Sequence, residues 1–509
     1  MMLYDQISGD WQGVLASLRS ASTTAILLAT VGLVLYWTIY PIYSLFLHPL
    51  HSIPGPKLSA CTRIPYWIAC IKGNQVRHMT KLHRVYGPVV RYGPNDLSYS
   101  DGRAWRDIHA VPKGKKENTK EVRYHGRPAN GVYHIIAEPS QERHAVLRDV
   151  FAPAFSEQAL RRQEPMFRKY ADMLVARGRE ADEAGAAVDL TRLLNFTTFD
   201  IMGELAFGEP LGLLANNRYS EWVATMFNML RVLPIVQLID FYAVTRTLFD
   251  LLEPPFVRRK RMDLFNHTAS RVDKRLEKGA SDKPDLWNLV VNSHALTRDD
   301  MHSNAIVFMM AGTETTASLL TGLIYYLIAN PDKMKTLTKE IRETFPSSDA
   351  ISFQELAKLK YLDACLREGQ RVYPPLPSSV PREIAPGGNE ILGRWIPEGT
   401  RVSVHHTATY QSPSNFRNPD KFAPERWQGD PDYADDKRDA HQPFSVGPRN
   451  CLGMNMAWHE MRLILAKLLY NFDIESDVGP EWREQDVYVI WDRKPLMCRL
   501  KEVNAAHVA

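Results

Sequence analysis

From residue 20 to residue 56 the chain carries no Asp, Glu, Lys or Arg, and within that window residues 22–40 (STTAILLATVGLVLYWTIY) are predominantly apolar. At 1.5 Å per residue a helix over this stretch spans about 29 Å, roughly one hydrocarbon thickness of a bilayer. Tyr36, Trp37, Tyr40 and Tyr43 suit the interfacial belt. A cleaved secretory signal is the alternative, but the run is longer than such a signal needs and no clean small-x-small cleavage site follows. The pattern predicts one transmembrane anchor over 22–43, preceded by a short lumenal N-terminus over 1–21. Asp5, Asp10 and Arg19 precede the span and Lys57, Arg63 and Lys72 follow it, so the positive-inside rule keeps the large C-terminal part cytosolic. Ile53-Pro54-Gly55-Pro56 then restricts φ and favours extended backbone, predicting a stiff proline-rich hinge over 44–57; an ordinary surface turn fits the same place.

Over 58–509 the pattern is that of one globule. Val89-Val90-Arg91-Tyr92 and Leu97-Ser98-Tyr99 flank Gly-Pro-Asn-Asp, which predicts a β-hairpin. Residues 111–139 are rich in Lys, Gly and Pro and read as a long loop, a length usually found in lids and binding segments. Helical periodicity dominates from Ser140 to about Asn330 and again over 352–372. From Arg401 onward short strands and turns surround one strong helix near Cys451. Strands early and late with helices between predict a mainly α (α+β) fold with small sheets. Residues 232–255 are largely apolar and run into Arg258-Arg259-Lys260-Arg261. They read either as a surface resting on a membrane or as a buried helix pair with a solvated basic face.

Composition narrows the classes further. Hydrophobic residues at 45% and charged residues at 24% give ample material for a core and exclude disorder and disulfide scaffolds. The charge of 62 basic against 58 acidic residues, +4, is too even to point to nucleic acid. Five scattered cysteines read as reduced thiols in a cytosol-facing protein, with at least one free for chemistry.

The strongest chemical signal is Phe444-Ser-Val-Gly447-Pro-Arg449-Asn-Cys451-Leu-Gly453. Two glycines flank a cysteine just before a helix, where backbone N–H groups stabilise a thiolate. Gly447 permits a turn, and Gly453 lets something flat approach the backbone. Arg449 can hold a carboxylate and Phe444 can shield the sulfur. Together they describe a thiolate ligand for a haem iron with an arginine for a haem propionate. A structural cysteine at a helix N-terminus accounts for Cys451 but for neither Arg449 nor Phe444.

In these residues the chain resembles the cytochrome P-450 superfamily, and the resemblance extends from the anchor to the cysteine helix. It implies that Glu368-Gly-Gln-Arg371 and Arg426, in Pro424-Glu425-Arg426-Trp427, form a structural network beneath the haem loop. Ala311-Gly312-Thr313-Glu314-Thr315-Thr316 lies inside an apolar helix from about Asp299 to Asn330, where a glycine and an acid are both locally unfavourable. Small residues at Ala311 and Gly312 let that helix pass close over a flat cofactor, and the resemblance gives Glu314 and Thr315 to proton delivery. Asn304, Phe308, Ala311 and Thr315 fall on one helix face and are expected to line a substrate pocket. His144, Arg148 and Arg382 are the expected further propionate donors; many relatives have Trp at the position of His144, others His. Ser378, Ser379 and Val380 then sit at the pocket rim.

The implied activity is that of a monooxygenase with haem b, O2 and two electrons. Thiolate ligation favours O–O cleavage and attack on unactivated C–H bonds. The chain carries no dinucleotide fingerprint, so NADPH acts indirectly through a flavin reductase, or electrons arrive from a cytochrome b-type donor. Arg462 and Lys467 are candidate docking charges, though any such helix carries them. The implied location is the endoplasmic reticulum membrane. His48-Pro49-Leu50, His406-Thr407-Ala408-Thr409-Tyr410 and Pro424-Glu425-Arg426-Trp427 resemble enzymes of filamentous fungi that make secondary metabolites. A lipophilic terpenoid, polyketide or alkaloid is the substrate class this implies. Rearrangement or ring coupling without oxygen insertion, and a non-catalytic haem sensor, are the alternatives.

Overall fold

The computed structural model describes residues 23–503 except 25, 26, 29, 33, 112–115, 127, 280–284 and 291–294. The expected lumenal segment 1–21 lies outside the described residues. Within the expected anchor, Thr30–Leu47 is a helix long and apolar enough to cross a membrane, with 6% of its window buried. Its last turn, Tyr43–Leu47, is fastened to the globule. The Ser44 hydroxyl donates to the Ala60 carbonyl (2.5 Å), and Arg91 donates to the Ser44 carbonyl (2.8 Å) and hydroxyl (3.0 Å). Leu50 and Ile53 are buried beside Leu97 and Tyr99, and the Arg91 N–H donates to the Pro54 carbonyl at 2.8 Å. The segment read as a hinge is therefore docked. Burial of Leu50 and Ile53 gains more than a free linker would allow.

The expected hairpin forms from β1 (Val89–Gly93) and β2 (Asp96–Tyr99), antiparallel with Val89 opposite Tyr99. β3 (Thr119–Lys120), β4 (Arg382–Glu383) and β5 (Arg401–Val404) complete a five-stranded sheet in the order β1-β2-β5-β4-β3. β3 lies inside the long segment read as a loop, and it brings that segment against Arg382.

The helices that build the core are α1 (Gln141–Phe151), α2 (Glu157–Glu183), α3 (Leu190–Phe207), α4 (Glu221–Phe241), α5 (Ala243–Leu252), α6 (Arg298–Ile328), α7 (Lys360–Val372) and α8 (Met454–Asn471). Ser140, Ser156 and Ser220 cap α1, α2 and α4 by accepting from the third helical N–H. A reciprocal capping box between Thr297 and Asp300 starts α6. α6 is apolar on most faces and two-thirds buried, so it serves as a core helix despite being long enough to span a bilayer. By contrast α5 buries none of its residues. Val244, Leu248, Leu251 and Leu252 are exposed, so 232–255 is not a buried helix pair.

α8 is covered along most of its length, and two of its charges show it. The Lys467 side chain is fully buried and paired with Asp172 of α2 (2.5 Å), and Arg462 pairs with Asp363 of α7 (2.8 Å). Neither is a free docking charge, because the helix lies between its neighbours. Glu460 is 1% exposed. Burial pushes its carboxyl up to about 8, against a lowering by the Thr316 hydroxyl of α6.

One buried network ties α7 to the chain that leads to the cysteine. Glu368, Arg371 and Arg426 are each wholly buried. Arg371 donates to Glu368 at 2.7 and 3.0 Å, and the Arg426 Nε lies 3.0 Å from it. The Ala423 N–H (2.8 Å) and Trp427 Nε1 (2.9 Å) also donate to the same carboxylate. Burial opposes the charge, but Arg371, Arg426 and the Ala423 N–H together hold the Glu368 carboxyl below its ordinary value. Arg371 then reaches the carbonyls of Tyr410, Pro419 and Lys421. The Tyr410 hydroxyl accepts from the Gln442 N–H (3.1 Å), two residues before Phe444.

Two outcomes follow from these buried groups. Arg426→Met leaves Glu368 short of one cation and should cost about 3–5 kcal/mol of stability, read by denaturant unfolding and by the yield of haem-loaded protein. For Glu460, an unfolded carboxyl titrates near about 4.3, so from there to about 8 the folded state holds a proton the unfolded state has released. Stability must therefore fall as pH rises through that window. Between about pH 6 and pH 8 the protein should lose about 2 kcal/mol relative to Glu460→Gln; parallel stability curves for the two would show Glu460 to be ionised in the fold.

Candidate functional site

Cys451 lies in the turn that leads into α8, two residues before its N-cap Gly453. Its N–H donates to the Phe444 carbonyl at 2.9 Å, closing the loop on itself. Gly447 has φ +81°, and a Cβ there would strike the His109 carbonyl, so only glycine fits. Phe444 packs 6.1 Å from the Trp458 ring. Cys70, Cys365 and Cys498 are buried, whereas Cys451 is exposed. Burial nonetheless pushes its thiol up, while the Gly453 N–H and Arg148 pull it down.

α6 supplies an open stripe of the same kind. Val307, Met310, Ala311 and Thr315 are half-buried in the middle of a helix whose other positions are mostly covered. Asn304 and Phe308, expected on this stripe, are turned away from it. Asn304 is fully buried, accepting from the Ile135 N–H (2.9 Å) and donating to the Asp300 carbonyl (2.7 Å). Phe308 packs edge-on to Phe151 at 4.8 Å and lies 5.9 Å from Phe155. A repeat of 3.6 residues places Val307 as close to the face of Ala311 as Phe308, and the aromatic cluster decides between them. Gly312 serves helix packing: a Cβ there would sit 2.6 Å from the Met202 sulfur of α3. The Thr315 hydroxyl donates back to the Ala311 carbonyl at 2.6 Å. Glu314 is buried and points instead to Arg493, 2.6 Å away.

Cations gather near the cysteine loop. Arg449 donates to Glu117 (2.7 Å), to the Pro139 carbonyl (3.3 Å) and to the Glu138 carbonyl. Arg382 is 2% exposed, with Nη1 lacking a hydrogen-bond partner and 4.0 Å from Glu117. Burial and the Arg449 charge lower the Arg382 guanidinium to about 10. Lys120 is buried too, its ammonium pushed well down by burial, Arg382 and Arg449, with Glu117 acting against them. Burial, Arg449 and Lys120 lower His144 to about 3, which leaves it neutral. Arg148, on the same face of α1, is committed to the loop through the Asn450 carbonyl (2.9 Å) and Oδ1 (2.7 Å). Ser379 is buried and Val380 half-buried just before β4. The Ser378 hydroxyl is taken by the Val489 carbonyl (3.1 Å).

These residues fit a flat dianionic prosthetic group bound through sulfur. Lys120, Arg382 and Arg449 are three basic groups, and among the described residues Glu117 is the carboxylate that acts on all of them. Basic groups in excess of carboxylate suit an anionic group, whose charge would also favour the Lys120 ammonium. Arg382 Nη1, His125 Nε2 and His134 Nδ1 are buried nitrogens with no hydrogen-bond partner among the described residues. Among the described residues no group of three or more His, Cys, Asp or Glu could hold a metal ion. Glu117, Lys120, Val307, Met310 and Arg493 were not legible as site residues in the sequence. Each is placed by contacts far away along the chain, and none lies in a patterned motif.

Comparison with known proteins agrees with this geometry. The family model described as Cytochrome P450 matches residues 54–498. The chain is 42% identical to the cytochrome P450 monooxygenase efuB of Hormonema carpetanum, over 92% of this chain and 94% of that protein. It is 42% identical to the cytochrome P450 monooxygenase FUM2 of Gibberella moniliformis, over 91% and 100%. It is 39% identical to the averantin hydroxylase of Dothistroma septosporum, over 95% and 93%. With a mainly helical fold, an open cysteine ahead of α8 and relatives matched over nearly their whole length, the chain belongs to the cytochrome P450 family and is a monooxygenase of it.

Proposed function

We propose that this P450 oxidises a lipophilic small molecule in fungal secondary metabolism, with Cys451 as the residue whose thiolate would hold haem b. The exposed sulfur of Cys451, in a loop whose Arg449 shares Glu117 with Arg382 and Lys120, is the observation that carries this reading. When bound, the group supplies dioxygen activation: substrate, O2, two electrons and two protons give oxidised substrate and water. The chain's own residues do the rest. The Cys451 N–H bond to Phe444 fixes the loop, and the Gly453 N–H and the Arg148 charge favour the thiolate. Lys120, Arg382 and Arg449 hold the carboxylates, beside His144. Val307, Met310 and Ala311 present an apolar wall that excludes water and orients substrate, with Ser379 and Val380 at the rim. Thr315 holds a proton at Oγ1 and Glu314 at Oε1. A complete acid and threonine favour monooxygenation over rearrangement. The averantin hydroxylase relative supports hydroxylation as the reaction.

The same reading divides the chain into a lumenal N-terminus (1–21), an anchor (22–43), the docked proline-rich segment (44–57) and a cytosolic catalytic domain (58–509) on the endoplasmic reticulum membrane. The exposed apolar side of α5 and Arg258 to Arg261 beyond it suit a second contact with the bilayer. Electrons come from an NADPH-dependent flavin reductase or a cytochrome b-type donor.

The reduced, carbon-monoxide-bound spectrum of the full chain in membranes tests the ligand. A thiolate-type Soret band should be present and should vanish in Cys451→Ala; a histidine-type band in both proteins refutes the assignment. Thr315→Ala should keep that band while product formed per NADPH falls roughly tenfold and peroxide rises in its place. Unchanged coupling removes Thr315 from proton delivery.

A further inference from the structure

Glu314 has one ion-pair partner among the described residues, and it comes from the far end of the chain. The Arg493 Nη2 reaches the Glu314 Oε2 at 2.6 Å, and the two side chains are 3% and 5% exposed. Arg493 is the inward-pointing member of an outward-facing stretch: Asp492 pairs with Arg231 (2.9 Å), and Lys494 is exposed. Its backbone is fixed on both sides. Trp491 stacks on Tyr373 with ring centroids 4.4 Å apart and donates to the Pro374 carbonyl (2.8 Å). The Leu496 N–H donates to Asp189 (3.1 Å) and Thr191 (3.2 Å), and its carbonyl accepts from Leu190 (2.9 Å) at the start of α3. The same Nη2 donates to the Asn195 Oδ1 of α3 (2.8 Å), and Asn195 in turn donates to the Tyr219 hydroxyl (3.0 Å).

The contact is end-on. Among the described residues Glu314 Oε1 and Arg493 Nη1 are both buried without a hydrogen-bond partner, so the fork geometry that would lock both carboxylate oxygens is not used. One oxygen is pinned and the other is left free to carry a proton. Resting on the function proposed above, we infer that Arg493 is the positioning residue that holds Glu314 in place for proton delivery beside Thr315.

Among the described residues, the phenols of Tyr219 and Tyr373 also act on the pair, and burial raises both so that they stay neutral. Burial raises the Glu314 carboxyl, and Arg493 acts against that rise by Coulomb attraction and a hydrogen bond. With the guanidinium removed, the carboxyl keeps its proton to higher pH and ceases to release it.

The test uses the full-chain, haem-loaded protein. The infrared C=O band of protonated Glu314 is identified by its loss in Glu314→Gln, and its titration midpoint is followed. In Arg493→Met that midpoint should rise by about one pH unit or more, as expected for loss of an opposite charge in contact. Peroxide formed per NADPH should rise with it, and Arg493→Met/Glu314→Gln should uncouple no more than Glu314→Gln alone. An unmoved midpoint in Arg493→Met protein with a normal carbon-monoxide spectrum overturns the inference, as does a double variant in which the two losses multiply. If Arg493→Met does not accumulate with haem, Arg493→Lys reads the same quantity. Its more hydrated point charge should raise the midpoint by a smaller step and partly preserve coupling, and no movement overturns the inference there too. The failure of the underlying function reads differently: Glu314→Gln alone would then leave peroxide yield at the level of the unaltered protein.

Discussion

The Glu368 carboxylate is the constraint on which the rest of this molecule depends. It lies fully buried with Arg371 and Arg426 against it, and it also accepts from the Ala423 N–H and the Trp427 indole. Desolvation makes such a cluster a poor source of stability compared with well-packed apolar residues, yet removing one member leaves a charge with no compensation. The cluster therefore acts as a lock: the chain from Tyr410 to Gln442 has one arrangement in which every charge is met. Since the Gln442 N–H hangs on the Tyr410 hydroxyl and Arg371 on the Tyr410 carbonyl, the lock passes directly to the start of the cysteine loop.

The same logic recurs where distant segments meet. Asp96 takes both Arg63 (3.1 Å) and Arg401 (2.6 Å), joining the N-terminal helices to the central sheet. Glu314 takes Arg493, joining α6 to the stretch that carries Trp491 and Leu496. Beside the cysteine loop the balance changes: Glu117 is shared by Arg449, Arg382 and Lys120, so basic groups outnumber the carboxylate. A place where buried basic groups crowd one carboxylate is suited to receive an anion. The doubly anionic edge of a haem completes the pattern.

Much of this was legible in the sequence because its chemistry is local. The cysteine loop, the Glu-x-x-Arg helix and the Gly-Thr-Glu-Thr run each pack their meaning into a few residues, and the hairpin and the helical stretches follow from patterning alone. What escaped was set by contacts across the chain. Arg493 lies 179 positions from Glu314, with no motif to announce it. Lys120 looked like one more charge in a polar loop until β3 set it beside Arg382. Phe308 and Val307 were indistinguishable by helical phase until the rings of Phe151 and Phe155 claimed one of them. Gly312 was read as room for a cofactor, but it makes room for Met202. Lys467 was read as a docking charge, yet Asp172 holds it inside.

α5 turns Val244, Leu248, Leu251 and Leu252 outward, a surface that water does not favour. α4, leading into it, meets the helical turn Val122–His125 through a Gln237 donation to the Tyr124 carbonyl (2.7 Å). At its end Phe241 sits among the guanidiniums of Arg63, Arg123 and Arg401 at 4.4, 5.0 and 4.6 Å. Among the described residues, the contacts of α4 there thus include one amide donation and a cation–π cluster, with Phe241 also edge-on to Trp67 at 5.5 Å. Polar fastenings of this kind separate at modest cost when water enters, whereas an interlocked aliphatic seam would not.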